Sequence, residues 1–148
     1  MIKKQVLFIC THNSCRSQMA EGLLNHYCSN HFQAYSAGVE KTHVHPLAIQ
    51  VMKEIDIDIS QQRSKLVNEF KETVFDVVVT VCDHARETCP FFPGKKVIHK
   101  GFTDPGIITE SKNDQIESFR TVRDEIKDWI MEEFCDSNDS MNETEGTI

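Results

Sequence analysis

The stretch KQVLFICTHNSCRS, residues 4 to 17, constrains the chain more than any other. Its run Val6, Leu7, Phe8, Ile9 is apolar without alternation, as expected of a parallel strand buried on both faces. Cys10 follows at the carboxyl end of that strand. From Ser17 the pattern turns helical: Ser17 suits an N-cap, Ala20 and Glu21 favour helix, and Met19, Leu23, Leu24 and Tyr27 can form one apolar stripe. Strand, short loop and helix in that order aim backbone N–H groups and a helix N-terminus at one point, which suits an oxyanion. The helix start and Arg16 favour the thiolate of Cys10. Arg16 can also hold a tetrahedral oxyanion bidentately while backbone amides take the remaining oxygens. A nucleophile inside an anion cradle predicts covalent attack on the anion's central atom. The loop lacks the Gly-x4-Gly-Lys pattern of nucleotide-binding loops, which argues against a nucleotide.

The rest of the chain repeats this alternation. Residues 33 to 37 read as a second strand, and Pro46 opens a helix through about Ile55. A short helix is expected from about Ser64 to Phe70. The run Val77 to Val81 is a third buried strand, and it too ends in a cysteine, Cys82. Residues 83 to 89 read as helix, stopped by Pro90. Residues 95 to 100 give a fourth strand, and a polar loop to about Asn113 carries Asp104 and Pro105. The last helix, from about Asp114 to Phe134, places Ile116, Phe119, Val122, Ile126, Trp129, Ile130 and Phe134 on one stripe. These elements predict a single α/β domain over residues 1 to 135, built on a four-stranded, mostly parallel sheet. Its ligands should bind at the carboxyl ends of the strands. Residues 136 to 148 read as a disordered acidic tail.

Composition excludes several classes. The net charge of −7, with sixteen Lys and Arg residues scattered along the chain, argues against a nucleic-acid partner. The apolar run after Lys3 and Lys4 is too short for a signal peptide or a membrane span, so a cytoplasmic protein is expected. In that setting the six cysteines read as free or transiently paired thiols instead of a disulfide scaffold.

A bare Cys-x5-Arg also describes an inert strand-end cysteine and a surface arginine. The buried strand before it, Ser17 beside Arg16, and Asp104-Pro105 downstream favour the functional reading. On the segments CTHNSCRSQMAEG, YSAG, VTVCDHARETCP, FTDP and FRTVRDEI, the chain resembles the low-molecular-weight protein tyrosine phosphatase family, and within it the thioredoxin-coupled arsenate reductase branch. The resemblance covers about residues 4 to 134. It implies a three-layer sandwich with strand order 2-1-3-4, and an oxyanion site formed by Thr11, His12, Asn13, Ser14, Cys15, Arg16 and Ser17. It further implies catalysis by Cys10, Cys82, Cys89, Arg16 and Asp104, with Asp104 as general acid. The expected activity is reduction of arsenate to arsenite, an arsenic detoxification step. Thioredoxin would be the external reductant, with no bound cofactor and no metal, and the protein would act as a monomer.

Hydrolysis needs only Cys10, Arg16 and Asp104, so the two further cysteines separate the branches. If strands 1 and 3 are adjacent and parallel, Cys10 and Cys82 leave the same sheet edge about 4.8 Å apart, within the roughly 7 Å that a disulfide tolerates. Cys89 would stand about 10.5 Å along an intact helix from Cys82, so that bond requires the segment to unwind. The mechanism implied by the resemblance passes oxidation from Cys10 to Cys82 and then to Cys89. A low-molecular-weight tyrosine phosphatase is the alternative, with residual phosphatase activity expected in either case; an anion-responsive redox sensor is a third reading. Cys82 and Cys89 with His84 and His99 make a poor zinc set, because Cys-x6-Cys is not a usual ligand spacing. Cys15 reads as structural, and Cys28 and Cys135 as packing residues near helix ends.

The chain departs from the family in three places. His12 stands where many relatives have Gly; it could assist anion binding or simply be solvated. Asn13, Glu21 and Ser36 match a monovalent-cation site whose fourth position, an Asp, is Lys65 here, which predicts little potassium stimulation. Gly106, Ile107 and Ile108 replace the aromatic residues that would flank a phosphotyrosine ring.

Overall fold

The computed structural model describes residues 2–83, 91–107 and 111–136. Strands β1 (Lys4–Ile9), β2 (Phe32–Ala37), β3 (Val77–Thr80) and β4 (Lys96–His99) form one parallel sheet in the order β2-β1-β3-β4. Three helices accompany them: α1 (Arg16–Tyr27), α2 (Pro46–Lys53) and α3 (Lys112–Ile130). The continuous apolar runs explain the strands, since every residue from Val6 to Ile9 and from Val77 to Thr80 is buried.

Alternation along β1 divides the core. Val6 and Phe8 join Met19, Leu23 and Leu24 of α1, Val51 and Met52 of α2, and Phe119, Ile126 and Ile130 of α3. Leu7 and Ile9 face the other way, onto Phe75, Val78 and Phe92, with Val67 and Phe70 packed outside them. The sheet is therefore the middle of three layers. Asn25 ties α1 to β2 by exchanging two hydrogen bonds with the Ala34 backbone, at 3.1 and 2.8 Å. Arg123 ties α3 to α2 through the Val51 carbonyl and Glu54.

Several element ends differ from the sequence expectation, each for a local reason. The segment expected as a helix from Ser64 to Phe70 is a 3₁₀ turn over Val67–Phe70. Helix α2 is capped by His45, whose Nδ1 accepts the Leu47 N–H at 3.0 Å. It stops at Lys53, ahead of a left-handed Asp56 with φ 63°. Helix α3 starts earlier than expected because the Ser111 hydroxyl accepts the Asp114 N–H, and its last turn, Met131–Asp136, widens into a π-helix. The expected helix over 83 to 89 and the expected tail over 136 to 148 fall, beyond their first residues, outside the described ones. Among the described residues no helix is long and apolar enough to cross a membrane.

Cys28 and Cys135, expected to be packing residues near helix ends, are instead paired. They are joined by a disulfide, with Cα atoms 5.6 Å apart, because the ends of α1 and of the C-terminal helix converge.

Candidate active site

The site lies where β1 and β3, the central neighbours, end at the same sheet edge. In the parallel register Ile9 stands opposite Thr80, and the Val81 N–H continues the pairing by donating to the Ile9 carbonyl at 2.8 Å. Cys10 and Cys82 therefore leave the same edge from adjacent strands. The Cys82 Sγ sits 3.8 Å from the Ile9 carbonyl oxygen, turned toward the end of β1. Cys10 and Cys15 are free, buried thiols, whereas Cys82 is disulfide-bonded. Cys89 lies outside the described residues.

The loop from Cys10 to Cys15 is held from within by Asn13, which is fully buried and left-handed at φ 50°. Asparagine tolerates that conformation better than most residues. Its side-chain amide donates to Ser17 Oγ at 2.8 Å, and that hydroxyl lies 2.9 Å from Cys10 Sγ. Its carbonyl oxygen accepts from Gln18 Nε2 at 2.9 Å and from the Lys65 N–H at 2.8 Å. Gln18 also donates to the Asn13 and Arg63 carbonyls, and Gln62 donates to Gln18. Helix α1 thus buries the polar residues Arg16, Ser17 and Gln18 because they hold the loop.

Ser17 does not cap α1. The cap residue is Cys15, which makes no side-chain cap hydrogen bond, so the positive end of α1 opens directly onto the interior of the loop.

From outside, the loop is clamped by the chain that follows β2. The Thr11 carbonyl accepts the N–H groups of Val39 and Glu40, at 2.9 and 3.1 Å. The His12 carbonyl accepts the hydroxyls of Thr42 and Ser64, both at 3.2 Å. Gly38 permits this approach: a Cβ there would lie 2.7 Å from both the Cys10 and Thr11 carbonyl oxygens. The His12 ring turns outward, its Nε2 3.1 Å from Glu40. The Ser14 carbonyl accepts the His45 N–H at 3.0 Å.

Arg16 is 2% exposed. It donates to the Phe102 carbonyl at 3.1 Å and stands 3.8 Å from Asp104. It thereby anchors the loop that brings Asp104, about one quarter exposed, to the mouth of the site. The other Asp104 oxygen accepts the Gly106 N–H at 2.9 Å. Burial pushes the Cys15 thiol up to about 12, with Asp104 and Cys10 adding to it, so at neutral pH Cys15 is a protonated packing residue and not a second nucleophile.

The loop conformation, the helix start without a side-chain cap and the buried arginine form a cradle for a tetrahedral oxyanion around one cysteine. Residues 5–139 match the family model described as low molecular weight phosphotyrosine protein phosphatase. The chain belongs to that family. Among its relatives, an arsenate reductase of Halalkalibacterium halodurans is 46% identical over 127 residues, covering 85% of this chain and 91% of that one. A solved arsenate reductase in the phosphate binding state superposes with a TM-score of 0.75 at 34% identity, covering 87% of this chain and 95% of the other. A thioredoxin-dependent arsenate reductase of Corynebacterium glutamicum superposes at 0.62 with 30% identity, covering 85% of this chain and 59% of that one.

Of the residues expected to form a monovalent-cation site, Glu21 and Ser36 meet beside Lys65. Lys65 Nζ donates to the Arg63 carbonyl at 2.8 Å and stands 3.6 Å from Glu21, which also accepts the Ser36 hydroxyl at 2.5 Å. Burial raises the Glu21 carboxyl against the pull of Lys65, and burial lowers Lys65 against the pull of Glu21. His99, weighed as a zinc ligand, instead has Nδ1 2.6 Å from Thr80 Oγ1, while His84 lies outside the described residues.

Cys10 and Cys82 stand at one edge as the strand pattern predicts, and Arg16 and Asp104, expected from the family resemblance, meet there as well. Sequence reasoning missed Gln18, Gly38, Thr42 and Ser64, whose signals are ordinary polar or small residues within regular elements and turns.

Proposed function

We propose that this chain reduces arsenate to arsenite, using Cys10 as nucleophile and Cys82 and Cys89 as the thiols that carry the oxidation away. The observation that carries this reading is the second strand-end cysteine. Cys82 leaves the strand next to that of Cys10 and is disulfide-bonded while Cys10 is free. A phosphatase has no use for such a thiol. The relatives named arsenate reductase support the same choice.

In the proposed sequence, the Cys10 thiolate attacks arsenic held by Arg16 and the loop amides. Asp104 protonates the departing oxygen, which leaves as water, and a thiol-arsenate adduct remains. The Cys82 thiolate then attacks Cys10 Sγ. The electron pair of the sulfur–arsenic bond passes to arsenic, arsenite leaves, and a Cys10–Cys82 disulfide forms. Cys89 attacks Cys82, Cys10 departs as thiolate, and a dithiol of the thioredoxin class reduces the remaining disulfide. Arsenate gains two electrons and one protein thiol pair loses them.

The reading further includes a cytoplasmic, monomeric protein without a bound cofactor. Residual hydrolysis of aryl phosphates is part of it, because Cys10, Arg16 and Asp104 meet the needs of that reaction. The test is an assay of arsenate reduction with thioredoxin and of aryl phosphate hydrolysis, for wild type and Cys82→Ser. Reduction should be lost and hydrolysis kept in the variant. No reduction by wild type, with hydrolysis present, would favour the low-molecular-weight phosphatase reading.

A further inference from the structure

The anion loop is fastened from outside by its carbonyls, and His45 holds one of them. A trans peptide sets its C=O and N–H on opposite sides, and no cis peptide bond occurs among the described residues. A carbonyl pinned outside the loop therefore turns the next residue's N–H away from the pin. Val39 and Glu40 pin Thr11, and Thr42 and Ser64 pin His12. The His45 N–H pins the Ser14 carbonyl at 3.0 Å, so the Cys15 N–H faces away from His45 and into the loop. Cys15 is the cap residue of α1, and an N–H at that position has no partner within its helix. It is one of the groups open to an anion.

His45 is itself held on several sides. Its carbonyl accepts the Ile49 N–H at 3.1 Å, and its Nδ1 accepts the Leu47 N–H at 3.0 Å. With Nδ1 as acceptor, the ring carries its proton on Nε2. Burial holds the ring below the usual histidine range and His43 adds to this, while Asp104 opposes it; at neutral pH Nδ1 therefore stays an acceptor. The ring leans on buried Phe119 of α3, with centroids 4.8 Å apart. One side chain thus joins the start of α2 to α3 while its backbone N–H reaches the loop. We propose that His45 is a positioning residue of the oxyanion site: its side-chain cap fixes the start of α2, and with it the aim of the Cys15 N–H at the bound anion. This role rests on the oxyanion cradle of residues 10 to 17, the part of the proposed function that reduction and hydrolysis share.

Sulfate is the probe, because it is a tetrahedral oxyanion that this chemistry neither reduces nor hydrolyses. Two variants of the full chain separate cap from ring: His45→Ala removes both, and His45→Asn restores a cap without the ring. At neutral pH, His45→Ala should bind sulfate about fivefold more weakly than wild type, and His45→Asn within about twofold of it. The KM for arsenate should rise by the same factor in His45→Ala while kcat holds, as loss of binding alone requires. In amide NMR spectra of wild type, the Cys15 signal should shift as sulfate is added, a readout that needs no variant to fold. Sulfate binding by His45→Ala equal to wild type, equal weakening in both variants, or a Cys15 amide that sulfate leaves unmoved overturns the proposal. Should wild type bind sulfate yet reduce no arsenate, the reductase reading fails while the sulfate comparison still decides the role of His45.

Discussion

Asn13 carries the anion loop through its left-handed turn and at the same time connects Lys65, Gln18 and Ser17 to the nucleophile. That double duty explains why the loop holds its shape without glycine. Cys15, inside the same loop, has a titration that can be read in stability. Its unfolded value of 9.0 rises to about 12 in the fold, so the native state keeps a proton that the unfolded chain has lost. The stabilisation is complete below about pH 9 and is lost as pH rises toward 12, at roughly 1.4 kcal/mol per pH unit. Urea unfolding of wild type and Cys15→Ala at pH 8 and 10.5 should show wild type losing more stability than the variant; equal losses contradict it. Lys65 bears on cation dependence. Its ammonium is 3.6 Å from Glu21 and would repel an added monovalent cation. The kcat/KM for arsenate should be the same in KCl and NaCl at matched ionic strength, and a clear rise in KCl would show that Lys65 does not fill the ion's place.

The elements matter through how closely β1, the loop and the chain after β2 approach one another. Replacing Gly38 by Ala sets a methyl group against two backbone carbonyls at 2.7 Å, and neither can swing aside as a side chain would. Gly38→Ala should cost about 1–3 kcal/mol in urea unfolding and lower kcat/KM; wild-type stability would show that the clamp is loose. The strands were legible because a parallel strand buried on both faces leaves an uninterrupted apolar run, as at Val6 to Ile9 and Val77 to Val81. Helix α1 was legible in place but not in role. Ser17 has the side chain of a cap, yet its hydroxyl is taken by Asn13 and Cys10, and Gln18 looks like any solvated helix residue until the loop closes on it. The 3₁₀ turn at Val67–Phe70 was misread as a helix because propensity says nothing about how little room remains beside Phe75 and Tyr35, against which Phe70 packs.

At the scale of the molecule, the sheet separates two kinds of sulfur chemistry. Its carboxyl edge gathers Cys10, Cys82, Arg16 and Asp104, while the opposite edge holds the Cys28–Cys135 bridge. The first was visible in the sequence because both cysteines end buried strands. The second was not, because 107 residues separate the partners and only the convergence of two helix ends brings them together. In the proposed relay, oxidation moves from Cys10 to Cys82 within one protein molecule. A single-turnover reaction of fully reduced enzyme with excess arsenate, without thioredoxin, decides whether it does. Wild type should release one arsenite per chain and end with Cys10 free and Cys82 joined to Cys89, whereas Cys82→Ser should release none. Arsenite release by Cys82→Ser at the wild-type rate would contradict the relay.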